Sequence, residues 1–155
     1  MTGKGHHAAA VGGGAIIGLA LSVTNPLGAI LLAVGSILGG KAPDYLEIPY
    51  WGSRRLIPHR TITHWTLGWC VIAIFAATQA SHPAAWMLLG FAIGCLIHIS
   101  GDSITPMGVP RLHPYKRTRG PRWAKSGGGW YEFNWILMVW TTSAIAAFGI
   151  YKLTP

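Results

Sequence analysis

Acids are the scarcest groups in this chain. It has four Asp and Glu residues against twelve Lys and Arg, and charged residues make up only 10% of the whole. An ordinary soluble domain carries roughly 25%. Three stretches hold no formal charge at all: residues 5–40, 61–101 and 133–151. Runs this long and this apolar exceed what a small soluble protein buries, because a bilayer crossing takes about 20 apolar residues. They indicate an integral membrane protein. Cysteine is nearly as sparse. Cys70 and Cys95 lie in apolar segments without C-x-x-C spacing, so they read as packing and carry no information on redox compartment. A Gly-x-Ser-x-Gly turn and a P-loop are both missing, which removes the nucleophile elbow and the Gly-rich phosphate cradle.

Two of the uncharged runs are broken once each, by Thr24-Asn25-Pro26 and Ser81-His82-Pro83, both turn chemistry. The sequence therefore predicts an all-α fold. It is a polytopic membrane helical bundle of about five hydrophobic spans, near 8–23, 26–40, 64–80, 84–104 and 132–151, forming one domain over 1–155. The first two spans are short and glycine-rich, which fits either a hairpin packed through small residues or segments that stop short of crossing. A cleaved signal peptide over 1–23 is the rival reading, and no small-x-small site follows Val23.

Charge then chooses a side. With alternating spans, eleven of the twelve basic residues share one face, leaving Lys152 on the other. Under the positive-inside rule that face is cytoplasmic, and so is the amino terminus. The localisation predicted is the bacterial inner membrane, multi-pass. A basic cytoplasmic loop over about 106–131 mixes cations with Tyr115, Trp123, Trp130 and Tyr131. It reads as a topological loop, as a surface for anionic lipid headgroups at up to about 1 kcal/mol per cation, or more weakly as a nucleic-acid patch.

The acids Asp44, Glu47, Asp102 and Glu132 and six of seven histidines map to that same end. In "HISGD", His98 and Asp102 are four apart and share a helical face. They are either a hydrogen-bonded pair locking helices or a metal ligand with its partner. In "HRTITH", His59 and His64 are five apart, so a helix start falls between them, with Thr61 or Thr63 as its cap. In "KAPDYLEIP", Asp44 and Glu47 hold half of all the acids within four residues. In "TGKGHH", adjacent His6 and His7 cannot both face one site, and His6 is preferred. A His/Asp/Glu set without thiolate suits Zn²⁺, with Mn²⁺ or Fe²⁺ as alternatives, and the number of candidates allows two ions.

The order Gly5-His6, Pro43-Asp44, His59 to His64, then His98, Asp102 and Thr105 to Pro110 resembles the YdjM-type inner-membrane proteins. These are described as membrane-bound metal-dependent hydrolases and also as a domain of unknown function. The resemblance implies His6, Asp44, His59, His64, His98 and Asp102 as the metal-site positions. Many members read "PD.D" where this chain has "PDYLE", so Glu47 stands where the second acid would be. A fainter likeness to zinc-dependent phospholipase C and P1 nuclease rests on the order His, Asp, His, H-x-x-x-D. Their further H…H-x-x-x-E ligands have no equivalent here.

The function expected is hydrolysis of a phosphoester, including a lipid one, at the cytoplasmic membrane face. Asp44 or Glu47 takes the proton, and a second ion or Arg60 steadies the phosphoryl charge. The alternative is a non-catalytic metal-binding or transport protein of the membrane.

Overall fold

The computed structural model describes residues 2–51, 54–123 and 129–153. Lys125, at the end of the basic stretch, lies outside them. Helices form where charge is missing: α1 (Gly3–Leu21), α2 (Pro26–Gly39), a short α3 (Ala42–Tyr45), α4 (Thr66–Thr78), α5 (Pro83–Ser103) and α6 (Trp130–Leu153). The two expected breaks are helix caps. The Asn25 side chain accepts from the Gly28 N–H ahead of Pro26, and the His82 ring accepts from the Ala84 N–H ahead of Pro83.

The start of α4 departs from expectation. Neither Thr61 nor Thr63 caps it. Trp65 occupies the cap position without a side-chain capping bond. The Leu67 N–H donates to the Arg111 carbonyl at 3.0 Å, and the Thr66 hydroxyl donates to the Pro110 carbonyl at 3.1 Å. A distant loop satisfies groups that a local cap would otherwise serve. The polar connections also carry two short antiparallel ribbons, β1 (Pro49–Trp51) with β2 (Arg54–Arg55) and β3 (Val109–Pro110) with β4 (Arg117–Thr118). The bundle is helical as expected, and two of its polar connections carry ladder hydrogen bonds.

Packing depends on small residues. Gly35 and Gly39 of α2 face Gly90 and Gly94 of α5, one GxxxG pair against another. A Cβ at Gly35 or Gly39 would run into the Met87 or Phe91 carbonyl, and one at Gly90 or Gly94 into the Leu32 or Ser36 carbonyl. The two backbones touch, which is how helices associate where no water drives them together. Ser36, fully buried, ties α2 to α1 by donating to the Ala10 carbonyl at 2.9 Å. Ala9, Trp135 and Val139 form the buried contact between α1 and α6.

The expectation of about five full spans is corrected by length. Two helices are long and apolar enough to cross a membrane, Pro83–Ser103 and Trp130–Lys152. Helices α2 and α4 have 14 and 13 residues. At 1.5 Å per residue they extend about 20 Å, short of a hydrocarbon core of about 30 Å. Helix α1 has 19 residues, but Lys4, His6, His7 and its glycines dilute it. The expected breaks at Asn25 and His82 leave α2 and α4 shorter than a crossing requires.

Candidate metal centre

Four helix ends meet at one end of the bundle. The first turns of α1 present His6, the α2–α3 junction presents Asp44, the 3-10 turn Ile62–His64 presents His64, and the last turns of α5 present His98 and Asp102. These five side chains converge. His6 Nε2 lies 3.3 Å from Asp102 Oδ1. His64 Nε2 lies 3.5 Å from both Asp44 Oδ1 and Asp102 Oδ2. His98 Nε2 lies 3.6 Å from Asp102 Oδ2 and 3.8 Å from Asp44 Oδ2.

Those separations decide between a hydrogen-bonded lock and a ligand cage. Good N–H···O bonds span about 2.7–3.2 Å. Ligands at about 2.0–2.1 Å from a tetrahedral ion stand roughly 3.3 Å from one another. The Nε2 atoms of His64 and His98 and Oδ1 of Asp44 are buried and have no hydrogen-bond partner. Unpaired buried polar atoms are costly, and several aimed at one point call for a cation between them. Two overlapping trios could each hold an ion: His6, His98 and Asp102, and Asp44, His64 and His98.

For His98 and His64 the far side of the ring fixes the tautomer. His98 Nδ1 lies 2.9 Å from the Gly40 carbonyl, which only accepts, so Nδ1 carries the proton and Nε2 offers its lone pair inward. His64 Nδ1 meets Thr63 Oγ1 at 3.0 Å and Glu47 Oε1 at 3.3 Å, again leaving Nε2 inward. His6 stacks on His98 with ring centroids 3.9 Å apart, and Trp135 closes its edge.

Glu47 is 0% exposed and fully engaged. Its oxygens accept from the Arg55 guanidinium, from His59 Nδ1 at 2.8 Å and from the Arg60 N–H at 2.9 Å. His59 thus joins the Glu47 side of the site and reaches Asp44 only at 4.0 Å. A third trio, Asp44, Glu47 and His59, has ligand spacing too, but the Arg55 cation already sits on that carboxylate. Arg60 adopts φ +55, the left-handed region that ordinary residues avoid. The turn lets its N–H face Glu47 while its guanidinium bonds Asp102 Oδ1 at 2.6 Å and Thr105 Oγ1 at 2.8 Å.

The surroundings set the protonation of the loop groups. Burial alone would raise the Asp44 carboxyl, but the neighbouring imidazoles of His64 and His98 outweigh it and hold it at about 2. Burial is likewise overcome at Glu47, lowered by the Arg60 N–H and His59. Burial would lower His64, yet the carboxylates of Asp102 and Asp44 beside it raise it above its ordinary value.

Every metal-site position expected from the sequence therefore falls in or beside one cluster. His7 is only partly buried, His113 is exposed and accepts from the Tyr115 N–H, and His82 serves as the α5 cap. Sequence reasoning missed Arg55, Thr105 and the Gly40 carbonyl. Thr105 had a signal, since it opens the Thr105 to Pro110 motif. The chain belongs to the YdjM inner membrane protein family, which it matches over residues 1–154. No curated protein and no solved structure matches it.

Proposed function

Starting from that membership, we propose that the chain is a metal-dependent hydrolase acting on a phosphoester, including a lipid phosphoester, at the cytoplasmic face of the inner membrane. The observation that carries this reading is the set of buried, unpartnered donor atoms on His64, His98 and Asp44, converging at ion-ligand spacing. His6, Asp44, His64, His98 and Asp102 would hold the metal, with Zn²⁺ favoured by the imidazole and carboxylate donors and Mn²⁺ or Fe²⁺ next. A divalent ion supplies Lewis-acid activation of water and of a phosphoryl oxygen.

The chain's own groups divide the remaining work. Asp44 has 43% of its side chain exposed, so it is the member of the cluster that incoming water and substrate reach. Its low pKa keeps it ionised and makes it a weak proton acceptor, suited to orienting water. Proton transfer falls to His59, whose Nδ1–H is held by Glu47 and whose ring is half-exposed, leaving Nε2 basic. Glu47 acts through His59 and His64, and Arg60 acts by holding Asp102. Both are positioning residues in this geometry.

The chain is multi-pass with its amino terminus in the cytoplasm, a reading supported by the basic residues clustered on the side of the site. The exposed cations Arg111, Lys116, Arg117, Arg119 and Arg122, beside exposed Leu112 and Trp123, meet anionic headgroups on that side. The test is Asp102→Asn, which keeps shape and removes charge. Metal content and phosphoester hydrolysis should both fall while the fold persists in detergent. Full metal loading with unaltered turnover would remove Asp102 from the centre.

A further inference from the structure

A cavity of about 920 Å³ opens beside the cluster, between the start of α1, the end of α2 and α3. Asp44 and His98 of the metal centre share its lining with Lys4, Lys41, Arg55 and Tyr45. By area its wall is mostly apolar, although Thr2, His6 and His7 also line it. Three cations face one carboxylate, and that carboxylate already belongs to the His/Asp cluster. Arg55 is paired with Glu47, but Lys4 and Lys41 have no ion pair among the described residues. Two uncommitted ammonium groups beside a cation-binding centre select an anion. The volume far exceeds a free phosphate and falls within the 300–1,000 Å³ typical of sites that enclose a whole small ligand. Tyr45, Leu46 and Ile48 stand exposed on α3 and the residues after it, so the apolar surface continues outward.

We infer that this cavity is the substrate subsite, built for an amphiphile with an anionic phosphoester: Lys4 and Lys41 take the phosphate oxygens and the apolar wall takes the adjoining tail. The assignment rests on the hydrolase reading above and deepens it. A choline-type headgroup is disfavoured, because the one carboxylate of the lining belongs to the metal centre and three cations repel a quaternary ammonium. Lysine fits the role as a mobile point charge that follows a phosphate during its approach.

The test uses the full chain in a phosphate-free detergent, with hexyl phosphate, inorganic phosphate and hexylphosphocholine as probes. Binding is measured by calorimetry and metal content in parallel. Hexyl phosphate should bind at least about ten-fold tighter than either of the others. The Lys4→Gln/Lys41→Gln variant should lose about ten-fold per lysine, as for charge-assisted hydrogen bonds, with metal content unchanged. Lys4→Arg/Lys41→Arg should restore most of it. Equal binding of hexylphosphocholine overturns the headgroup assignment. Inorganic phosphate as tight as hexyl phosphate overturns the tail, and that comparison needs only the unaltered chain. Lysine-dependent binding without cleavage under any metal keeps the subsite and removes the hydrolase. Cleavage with kcat/KM unchanged in the Gln variant keeps the hydrolase and removes the subsite.

Discussion

Replacing Arg60 with Met tests the centre most sharply, because the cost should depend on whether metal is present. Arg60 and Asp102 form a buried pair, with side chains 8% and 3% exposed and 2.6 Å between them. Met keeps the length of the side chain and the backbone N–H that Glu47 accepts. It removes the guanidinium from Asp102 Oδ1. Breaking one half of a buried ion pair costs about 3–5 kcal/mol, since a charge is stranded away from water. In a chain of this size that lowers Tm by roughly 6–20 °C. A bound divalent ion would supply the missing positive charge, so in metal-loaded protein the loss should shrink to about 1 kcal/mol, the worth of the hydrogen bonds themselves. The assay is thermal unfolding in detergent, with and without chelator, for the parent and Arg60→Met. Identical drops in both states would refute the reasoning, because Asp102 would then be insensitive to whatever occupies the cluster.

Three further outcomes follow from the same geometry. Gly94→Ala places a Cβ against the Ser36 carbonyl and should push α2 from α5. A cost of about 1–3 kcal/mol is expected, with metal affinity weakened as the His98 bond to Gly40 lengthens. Gly149→Ala, which meets nothing within 4 Å, should be neutral in the same melting experiment. Metal binding should weaken as pH falls, because an ion must displace the proton that His64 holds above its ordinary pKa of 6.5. A competitive titration flat from about pH 8 to about pH 6 would exclude His64 as a ligand. Reporters placed at Ser81 and at Arg119 should report opposite faces, because α5 lies between them, and the same face for both would end its assignment as a span.

What the sequence by itself determined is mostly local. Uncharged runs become helices because backbone polar groups without water must bond within their own segment. Asn25-Pro26 and His82-Pro83 start helices because a short acceptor and a fixed φ suit that position. His98 and Asp102 share a face because a helix turns once in 3.6 residues. Scarcity also carried meaning, since a chain with four acids places few of them idly, and three of the four lie at the cluster. Small-residue packing was expected of the first two spans, and only the fold shows Gly35 and Gly39 of α2 meeting Gly90 and Gly94 of α5.

Tertiary structure decided the division of labour. Glu47 and Asp44 look interchangeable in "PDYLE", yet one is sealed beneath Arg55, His59 and Arg60 and the other opens to a cavity. Nothing at Arg60 announces that a left-handed turn will send its N–H to one acid and its guanidinium to another 42 residues away. Thr63 resembles a helix cap but bonds His64, while α4 takes its first partners from the Pro110–Arg111 backbone. Such choices depend on which distant group arrives to satisfy a buried donor or acceptor. That is settled by how closely α2 and α5 pack, and spacing along the chain does not encode it.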